Sequence, residues 1–521
     1  MLSPSDFDIS RFDISSLDIP AQLALLKPVE ISIPVVAACL LAWVWLRPRG
    51  KKIPGPKGWP IIGNLFDWPS EYQAETMAGW QKLYGPLTQL SVLGKDVLFL
   101  TSPRAISELF AKRASTFSDR PKLVFSEQMC GMNVLHPMTN FGEDFKNQRK
   151  FMKEVLAAEH LRNHEALLDE EGRRMLQSIF QTPNDCDRHL RRFSSSFSLR
   201  MVYGFEAMEI DDPHVLLAEE MMQLAEYAVI GGWIVDFIPP LKNLPAWFPG
   251  AGFQKTAVYY RAKILEMITH PWEEVRSKIA AGTMKSESFA SLNMKKYEDG
   301  KHPYTETLIK ATATAMYGGA SDTTASAAWS FMLAMVLHPE VQAKAQAEID
   351  SVTGGQRLPR MSDRASMPYL DKIVWEVFRW APPVPVTLPH RNRVQDDFDG
   401  FVIPKDTTMV ASLFSITRDE EFHNDPEEFN PDRYEDDTER IPWYVFGYGH
   451  RRCPGADMAQ AQLFHQAAYI LSSFTLTPLN DKDGNPIYPE AKFAGKMVRH
   501  PEPFGYNIKP RWAGIETLFQ D

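Results

Sequence analysis

The sequence predicts a mainly α-helical protein with a smaller β region, built as a single large domain behind an N-terminal membrane anchor. Three observations carry that expectation. One uncharged apolar run, ISIPVVAACLLAWVWL from Ile31 to Leu46, stands near the start. Two short β-rich runs follow, LTQLSVL (87 to 93) and DVLFLT (96 to 101), and helical-period amphipathic patterns then dominate to about residue 380. No later low-complexity linker divides the chain, and every motif with chemical content falls between residues 145 and 455. The 521 residues are 44% hydrophobic, 23% charged and 12% aromatic, which excludes disordered, collagen-like and polytopic membrane chains.

The first 30 residues carry five acids (Asp6, Asp8, Asp13, Asp18, Glu30) against Arg11 and Lys27, while Arg47, Arg49, Lys51 and Lys52 follow the apolar run. By the positive-inside rule this places residues 1–30 in the lumen, a single pass at 31–46 and the bulk of the protein on the cytosolic side. Sixteen residues make ~24 Å of helix against a ~30 Å hydrocarbon layer, and Trp43 and Trp45 can extend it into the interface. An interfacial helix interrupted by Pro34 and a cleaved signal peptide compete, but a signal peptide has its basic flank before the apolar run. The repeat FDIS, FDIS, LDIP (7 to 20) has a period too short for a solenoid and suggests no role. Residues 47–63, in which Pro54, Pro56 and Pro60 alternate with Gly55, Gly58 and Gly63, read as a basic, proline-rich hinge. The domain proper is expected over 64–510, with a tail at 511–521. In that tail ETLFQ (516 to 520) is similar to a viral-protease cleavage scar and is left out of the expected fold.

A net charge of −10, from 56 Lys+Arg and 66 Asp+Glu, argues against an extended nucleic-acid surface. Cys39, Cys130, Cys186 and Cys453 are far apart with no CxxC pair, so neither a disulfide framework nor a structural zinc site is expected, and any cysteine chemistry rests on one thiol. The candidate is Cys453, in Phe446-Gly-Tyr-Gly449-His-Arg451-Arg-Cys453-Pro-Gly455 before the helical run ADMAQAQLFHQAAYIL. A helix N-terminus favours the thiolate, which makes Cys453 a candidate metal ligand. Gly449 and Gly455 permit close approach of a flat ligand, Arg451 can pair with a carboxylate, and Phe446 can shield the sulfur. A lone thiolate with no second ligand at metal spacing points to haem, whose porphyrin fills four positions. A buried structural cysteine is the plainer alternative.

With Phe 31, Gly 29 and Cys 4 of 521 residues, chance matches to FxxGxRxCxG number on the order of 10⁻⁵ to 10⁻⁴ in this chain. The pattern resembles the haem-binding signature of the cytochrome P-450 superfamily, the haem-thiolate monooxygenases. Other segments resemble the family in its order. Ala320-Ser-Asp322-Thr323-Thr324, preceded by Gly318 and Gly319 within a helix read from Thr305 to His338, resembles the oxygen-activation motif, with Ala320 at its second Gly position. Two mid-helix glycines cost ~1 kcal/mol each and need a reason, which passage close to a haem face would supply. Glu376-Val-Phe-Arg379, alone an ordinary i,i+3 ion pair, is followed at the family's distance by Phe429-Asn-Pro-Asp-Arg433-Tyr434.

The resemblance covers roughly residues 50 to 510 and implies the cytochrome P-450 fold, with haem between the Asp322 helix and the Cys453 loop. It implies Cys453 as iron ligand, Asp322 and Thr323 as a proton relay, and a structural Glu376–Arg379–Arg433 network. Arg149, Arg451 and His390 or Arg391 are implied as propionate contacts, with Phe145 in place of the family's Trp. The implied activity is insertion of one dioxygen atom into a C–H bond of a hydrophobic small molecule. The anchor and hinge look like fungal endoplasmic-reticulum members, which implies NADPH–cytochrome P-450 reductase and cytochrome b5 as partners, membrane lipid around the anchor, and no nucleic acid. Substrate contacts are expected from residues 120 to 140, the distal helix, Pro383 to Leu388 and Gly495 to Val498, with a terpenoid secondary metabolite favoured over polyketide or indole. A haem-thiolate isomerase or dehydratase and a non-catalytic haem sensor or carrier are the rivals.

Overall fold

The computed structural model describes residues 51–521 apart from 70–71, 209–211, 231, 436–438, 496 and 521. The expected lumenal segment and anchor lie outside the described residues. Among the described residues, no helix is long and apolar enough to cross a membrane. In chain order the longer elements are α1 (Gln73–Tyr84), β1 (Leu87–Val92), β2 (Lys95–Leu100), α2 (Glu143–Leu156), α3 (Glu165–Gln181), α4 (Cys186–Tyr203), α5 (Pro213–Ile230) and α6 (Phe253–Ala280). They continue with α7 (Phe289–Glu298), α8 (Glu306–Leu337), α9 (Pro339–Thr353), α10 (Pro368–Trp380), β3 (His390–Arg391), β4 (Asp396–Phe398), β5 (Phe401–Ile403) and β6 (Thr408–Ala411). The C-terminal part adds α11 (Ala456–Ser473), β7 (Phe474–Thr477), β8 (Leu479–Asn480), β9 (Pro486–Ile487), β10 (Phe493–Ala494), β11 (His500–Pro501) and β12 (Asn507–Pro510). Helices outnumber strands in length, as expected, and Lys52–Asp521 is one compact unit.

The two β-rich runs pair antiparallel as β1 and β2, and a four-stranded sheet grows from them in the order β1-β2-β6-β3, with β6 parallel to β2. The described part of the proline-rich segment lies along this sheet. Gln89 N–H donates to the Pro54 carbonyl at 2.8 Å, Asn64 N–H donates to Ser91 O at 2.7 Å, and Gly63 bridges to Val92. A Cβ at Gly55 or Gly63 would collide with the Gln89 or Ser91 carbonyl, so the glycines there serve contact with a strand.

Helix α8 is the axis of the helical body. Its N-cap is Thr305, whose hydroxyl accepts from Leu308 N–H at 3.3 Å, and His338-Pro339 ends it by starting α9. Nearly every residue from Thr324 to Val336 is buried, which fits a helix apolar all round and packed on α4, α5 and α11. The tail departs from expectation. Ile515 and Phe519 are buried, Arg173 donates to Leu518 O at 2.7 Å, and Gln177 donates to Phe519 O at 3.0 Å. Two apolar side chains in ETLFQ's own turn hold it on α3, so the segment set aside as a scar is part of the packed body.

Helices α3 and α11 approach closely at Gly172, where a Cβ would stand 2.7 Å from His465 Nε2 and 2.8 Å from the Tyr469 ring. Gly172→Ala gains ~1 kcal/mol of helix propensity but overpacks this contact at a cost of ~1–3 kcal/mol. Thermal unfolding should therefore show a lower midpoint, and an unchanged or raised midpoint would contradict the packing.

Candidate active site

The loop between the turn Trp443–Phe446 and α11 presents Cys453. Its backbone N–H donates to Phe446 O at 2.7 Å, closing the loop. Gly447 and Gly449 have φ of +83° and +57°, which only glycine adopts without strain. The close approach that Gly449 permits is to protein, because a Cβ there would collide with the Phe110 carbonyl, whereas Gly455 has only Leu156 Cδ1 nearby at 3.9 Å. Burial pushes the Cys453 thiol pKa up, and the Gly455 N–H, Arg149 and Arg452 oppose that only in part. A metal ion, once bound to the sulfur, would supply the drive to deprotonate it.

Beneath this loop lies the Glu376 network. Glu376 and Arg379 of α10 are fully buried, with Nε and Nη2 of Arg379 each 2.8 Å from a Glu376 oxygen. The surface ion pair that ExxR alone suggests is thus excluded. Arg433 donates from Nε to Glu376 Oε1 at 3.0 Å, Tyr434 donates its hydroxyl to Oε2 at 2.9 Å, and the Asn430 N–H donates to Oε1 at 2.8 Å. Arg379 also donates to the carbonyls of Thr417, Pro426 and Glu428. The chain of bonds continues through residues the sequence did not single out. Arg433 pairs with Glu439 at 2.9 Å, Glu439 with His423 Nδ1 at 2.8 Å, and His423 Nε2 with the Tyr444 hydroxyl at 2.6 Å, inside the turn that opens the cysteine loop. From the same helix, the Phe378 and Trp375 rings meet Phe446 at 5.0 and 6.3 Å.

Basic side chains gather beside the loop. Arg451 donates to the carbonyls of Ser118 (2.8 Å) and Thr139 (2.6 Å), Arg149 to Arg452 O (2.7 Å), and Arg120, buried, to Leu388 O and Pro389 O (3.0 and 2.7 Å). Among the described residues none of these three arginines makes an ion pair, while Arg391, the alternative to His390, is taken by Asp119 and Asp406. Burial and neighbouring positive charge hold His136 down to about 3 and His390 well below the usual histidine value. His390 Nδ1 donates to Phe117 O (2.8 Å) and its ring stacks on Phe110, and among the described residues the buried His136 Nδ1 has no hydrogen-bond partner. Phe145 stacks on His136 at 4.6 Å and lies under the Arg451 guanidinium at 4.3 Å. Buried cations held only by carbonyls are costly until an anion joins them. The two carboxylates of a haem fit this cluster, in which Arg120 and His136 are additions to the sequence-derived set.

On α8, Gly319 is exposed amid a mostly buried helix, and nothing lies within 4 Å of where its Cβ would stand. Gly318 instead accommodates Met267 Cε at 3.4 Å. The Thr323 hydroxyl donates to Gly319 O at 2.8 Å. Asp322 turns elsewhere, toward Arg191 Nη1 (2.8 Å) and His500 Nε2 (3.1 Å). Burial works against its charge, but His500 and Arg191 prevail and hold its carboxyl below the usual range. No hydrogen bond joins Asp322 to Thr323 among the described residues.

A cavity of about 480 Å³ is bounded by Leu123, Val386, Leu388, Met497, Trp68 and Phe99, among others. Three of the four segments expected to touch substrate meet there; the distal helix does not line it. Asp322 instead lines a second cavity of about 380 Å³ with Arg191, Glu219, Glu226 and His500.

The cytochrome P450 family model matches residues 53–508. The chain is 38% identical over 503 residues to cytochrome P450 monooxygenase claT of Ampulloclitocybe clavipes, covering 94% of this chain and 98% of the relative. It is 34% identical over 486 residues to cytochrome P450 monooxygenase 208 of Postia placenta (90% and 92%) and 32% over 500 residues to claR of A. clavipes (94% and 92%).

Glu376→Gln removes the charge that two buried guanidinium groups share, and breaking such a pair costs ~3–5 kcal/mol. Haem bound per chain and the thermal midpoint should both fall sharply. Full haem content at an unchanged midpoint would contradict the supporting role of this network.

Proposed function

The chain belongs to the cytochrome P450 family, haem-thiolate monooxygenases and oxidoreductases, and from that premise we propose that it inserts oxygen into a hydrophobic secondary metabolite, a terpenoid before a polyketide or indole. The observation that carries the oxidation reading is that the Cys453 loop, bonded to Phe446 O, rests through Phe446 on the helix of the buried Glu376 network, beside the buried Arg120 and the half-buried Arg149 and Arg451, which make no ion pair among the described residues. The balanced reaction is RH + O₂ + NADPH + H⁺ giving ROH + NADP⁺ + H₂O. The 480 Å³ cavity, whose wall joins aliphatic side chains such as Val97, Ile230, Val386 and Leu388 to charged ones such as Lys95, Asp236 and Arg391, lies in the ~300–1,000 Å³ range of small-molecule sites.

Haem bound through a thiolate supplies dioxygen activation. In this reading Cys453 is its iron ligand, and Arg120, Arg149, Arg451 and His390 orient it by its carboxylates. The Glu376–Arg379–Arg433 network and the Phe446 ring keep the cysteine loop in register and limit water near the sulfur. Thr323 presents a hydroxyl at the Gly319 face of α8, and Asp322, one residue away and held as the carboxylate by Arg191 and His500, takes up a proton and passes it on. The proposed electron donors are NADPH–cytochrome P450 reductase and cytochrome b5. The proposed setting is the endoplasmic-reticulum membrane, with residues 31–46 as anchor and 64–510 as the cytosolic catalytic domain, supported by the basic flank after the apolar run.

Incubating the holoenzyme with reductase, NADPH and a panel of terpenoid, polyketide and indole scaffolds under ¹⁸O₂ tests this. One labelled oxygen should appear in a terpenoid product; oxygen from water in the product, or turnover without dioxygen uptake, would contradict it. Thr323→Val removes the hydroxyl at nearly constant volume. NADPH consumption should continue with about tenfold less product per NADPH and more peroxide, whereas unchanged coupling would remove Thr323 from the relay.

A further inference from the structure

We propose that His500 is the positioning group that recharges Asp322 with protons drawn from the second cavity, a route separate from the substrate cavity. The inference rests on the relay reading above and extends it to a residue outside the family motifs. Asp322 Oδ1 has two cationic-capable partners, Arg191 Nη1 at 2.8 Å and His500 Nε2 at 3.1 Å. A guanidinium does not give up its proton in a protein, so only the imidazole can pass one on. Arg191 then fixes the carboxylate while His500 exchanges.

The surroundings suit that division. His500 sits in β11, and its segment is pinned on several sides. The Ser326 hydroxyl of α8 donates to Arg499 O, Arg499 N–H donates to Pro383 O at 2.8 Å, its guanidinium pairs with Glu75 at 2.8 Å, and Met497 N–H donates to Glu226 at 3.0 Å. The turn that delivers it needs Gly495, at φ +113°, where a Cβ would collide with Val498 O. The 380 Å³ cavity places Glu219 and Glu226 of α5, Arg191 of α4, Asp322 of α8 and His500 on one wall system, and the exposed Gln223 opens it to water. Arg191 Nε also reaches Glu219 at 3.6 Å, which balances its charge. Met497 lines both cavities, but Asp322, Arg191 and His500 line only the second.

The step balances as an acid–base exchange. His500 imidazolium gives its Nε2 proton to Asp322 Oδ1, leaving neutral imidazole and a carboxylic acid. The acid delivers the proton on the Thr323 side, and water in the cavity reprotonates the imidazole. No electron moves.

Two measurements on the full chain test the proposal. In haem-replete protein with reductase, NADPH oxidation and peroxide formed are followed between about pH 5 and pH 8. His500→Gln keeps a donor to Asp322 but cannot titrate. The share of NADPH ending as peroxide should rise at least about threefold near neutral pH, and the wild-type loss of coupling as pH rises should flatten, with haem content unchanged. Wild-type coupling and an unaltered pH profile in His500→Gln would overturn the proposal. Independently of turnover, the His500 resonance in ¹³C-histidine-labelled protein is assigned by its loss in His500→Gln. It should move when Asp322→Asn removes the carboxylate that stands 3.1 Å from Nε2, and a resonance that stays in place would overturn the proposal as well. If Asp322→Asn and Thr323→Val uncouple turnover while His500→Gln does not, the proton route fails alone. If all three stay coupled, the relay itself fails.

Discussion

A carboxylate without access to water, Glu376, sets the terms for the haem side of the molecule. A buried charge is tolerated only when its partners are close and complete, and Glu376 recruits them from two places: Arg379 one turn along α10, and Asn430, Arg433 and Tyr434 from a segment more than 50 residues away. Arg379 in turn gathers the carbonyls of Thr417, Pro426 and Glu428. Irregular backbone that strands and helices do not pair is thereby held in one arrangement. The Arg433–Glu439–His423–Tyr444 bonds carry that order to the turn that opens the Cys453 loop. Phe378 and Trp375 press on Phe446 from the same helix, so charge pairing and packing act on the loop together.

The charge balance on the two sides of the site differs. Under the loop, buried acids and bases neutralise one another. Beside it, Arg120, Arg149 and Arg451 meet mainly carbonyl oxygens, and His136 and His390 are kept neutral by burial and neighbouring positive charge. That excess is what a ligand bearing two carboxylates requires. The phenyl ring of Phe145 offers no indole N–H, but it lies between His136 and Arg451 and contributes its π face to the cation instead.

Much of this was legible in the sequence because the residues involved are local. The cysteine loop, the ExxR pair and the small-residue stretch of α8 are each short, and the strands at 87–92 and 95–100 and the cap at Thr305 follow from pattern and side-chain chemistry. What escaped the sequence depends on distant meetings. Glu439, His423 and Tyr444 are ordinary polar residues until the fold joins them, and Arg120 is an isolated charge until it is buried against residues 388–389. The orientation of Asp322 could not be read from its motif, since Arg191 and His500 come from α4 and β11. The packing of the ETLFQ turn could not be read from its composition, since it rests on contacts with α3 some 340 residues earlier. That a Cβ at Gly449 would meet the Phe110 backbone is likewise invisible in the motif.

The account rests on Cys453 meeting iron as a thiolate, and the visible spectrum of the reduced, CO-bound protein reads that bond directly. Wild-type protein should give the red-shifted band of a thiolate-ligated haem, and folded Cys453→Ala should lack it. A wild-type band at the shorter wavelength of a neutral ligand, or a red-shifted band that survives in Cys453→Ala, would contradict it.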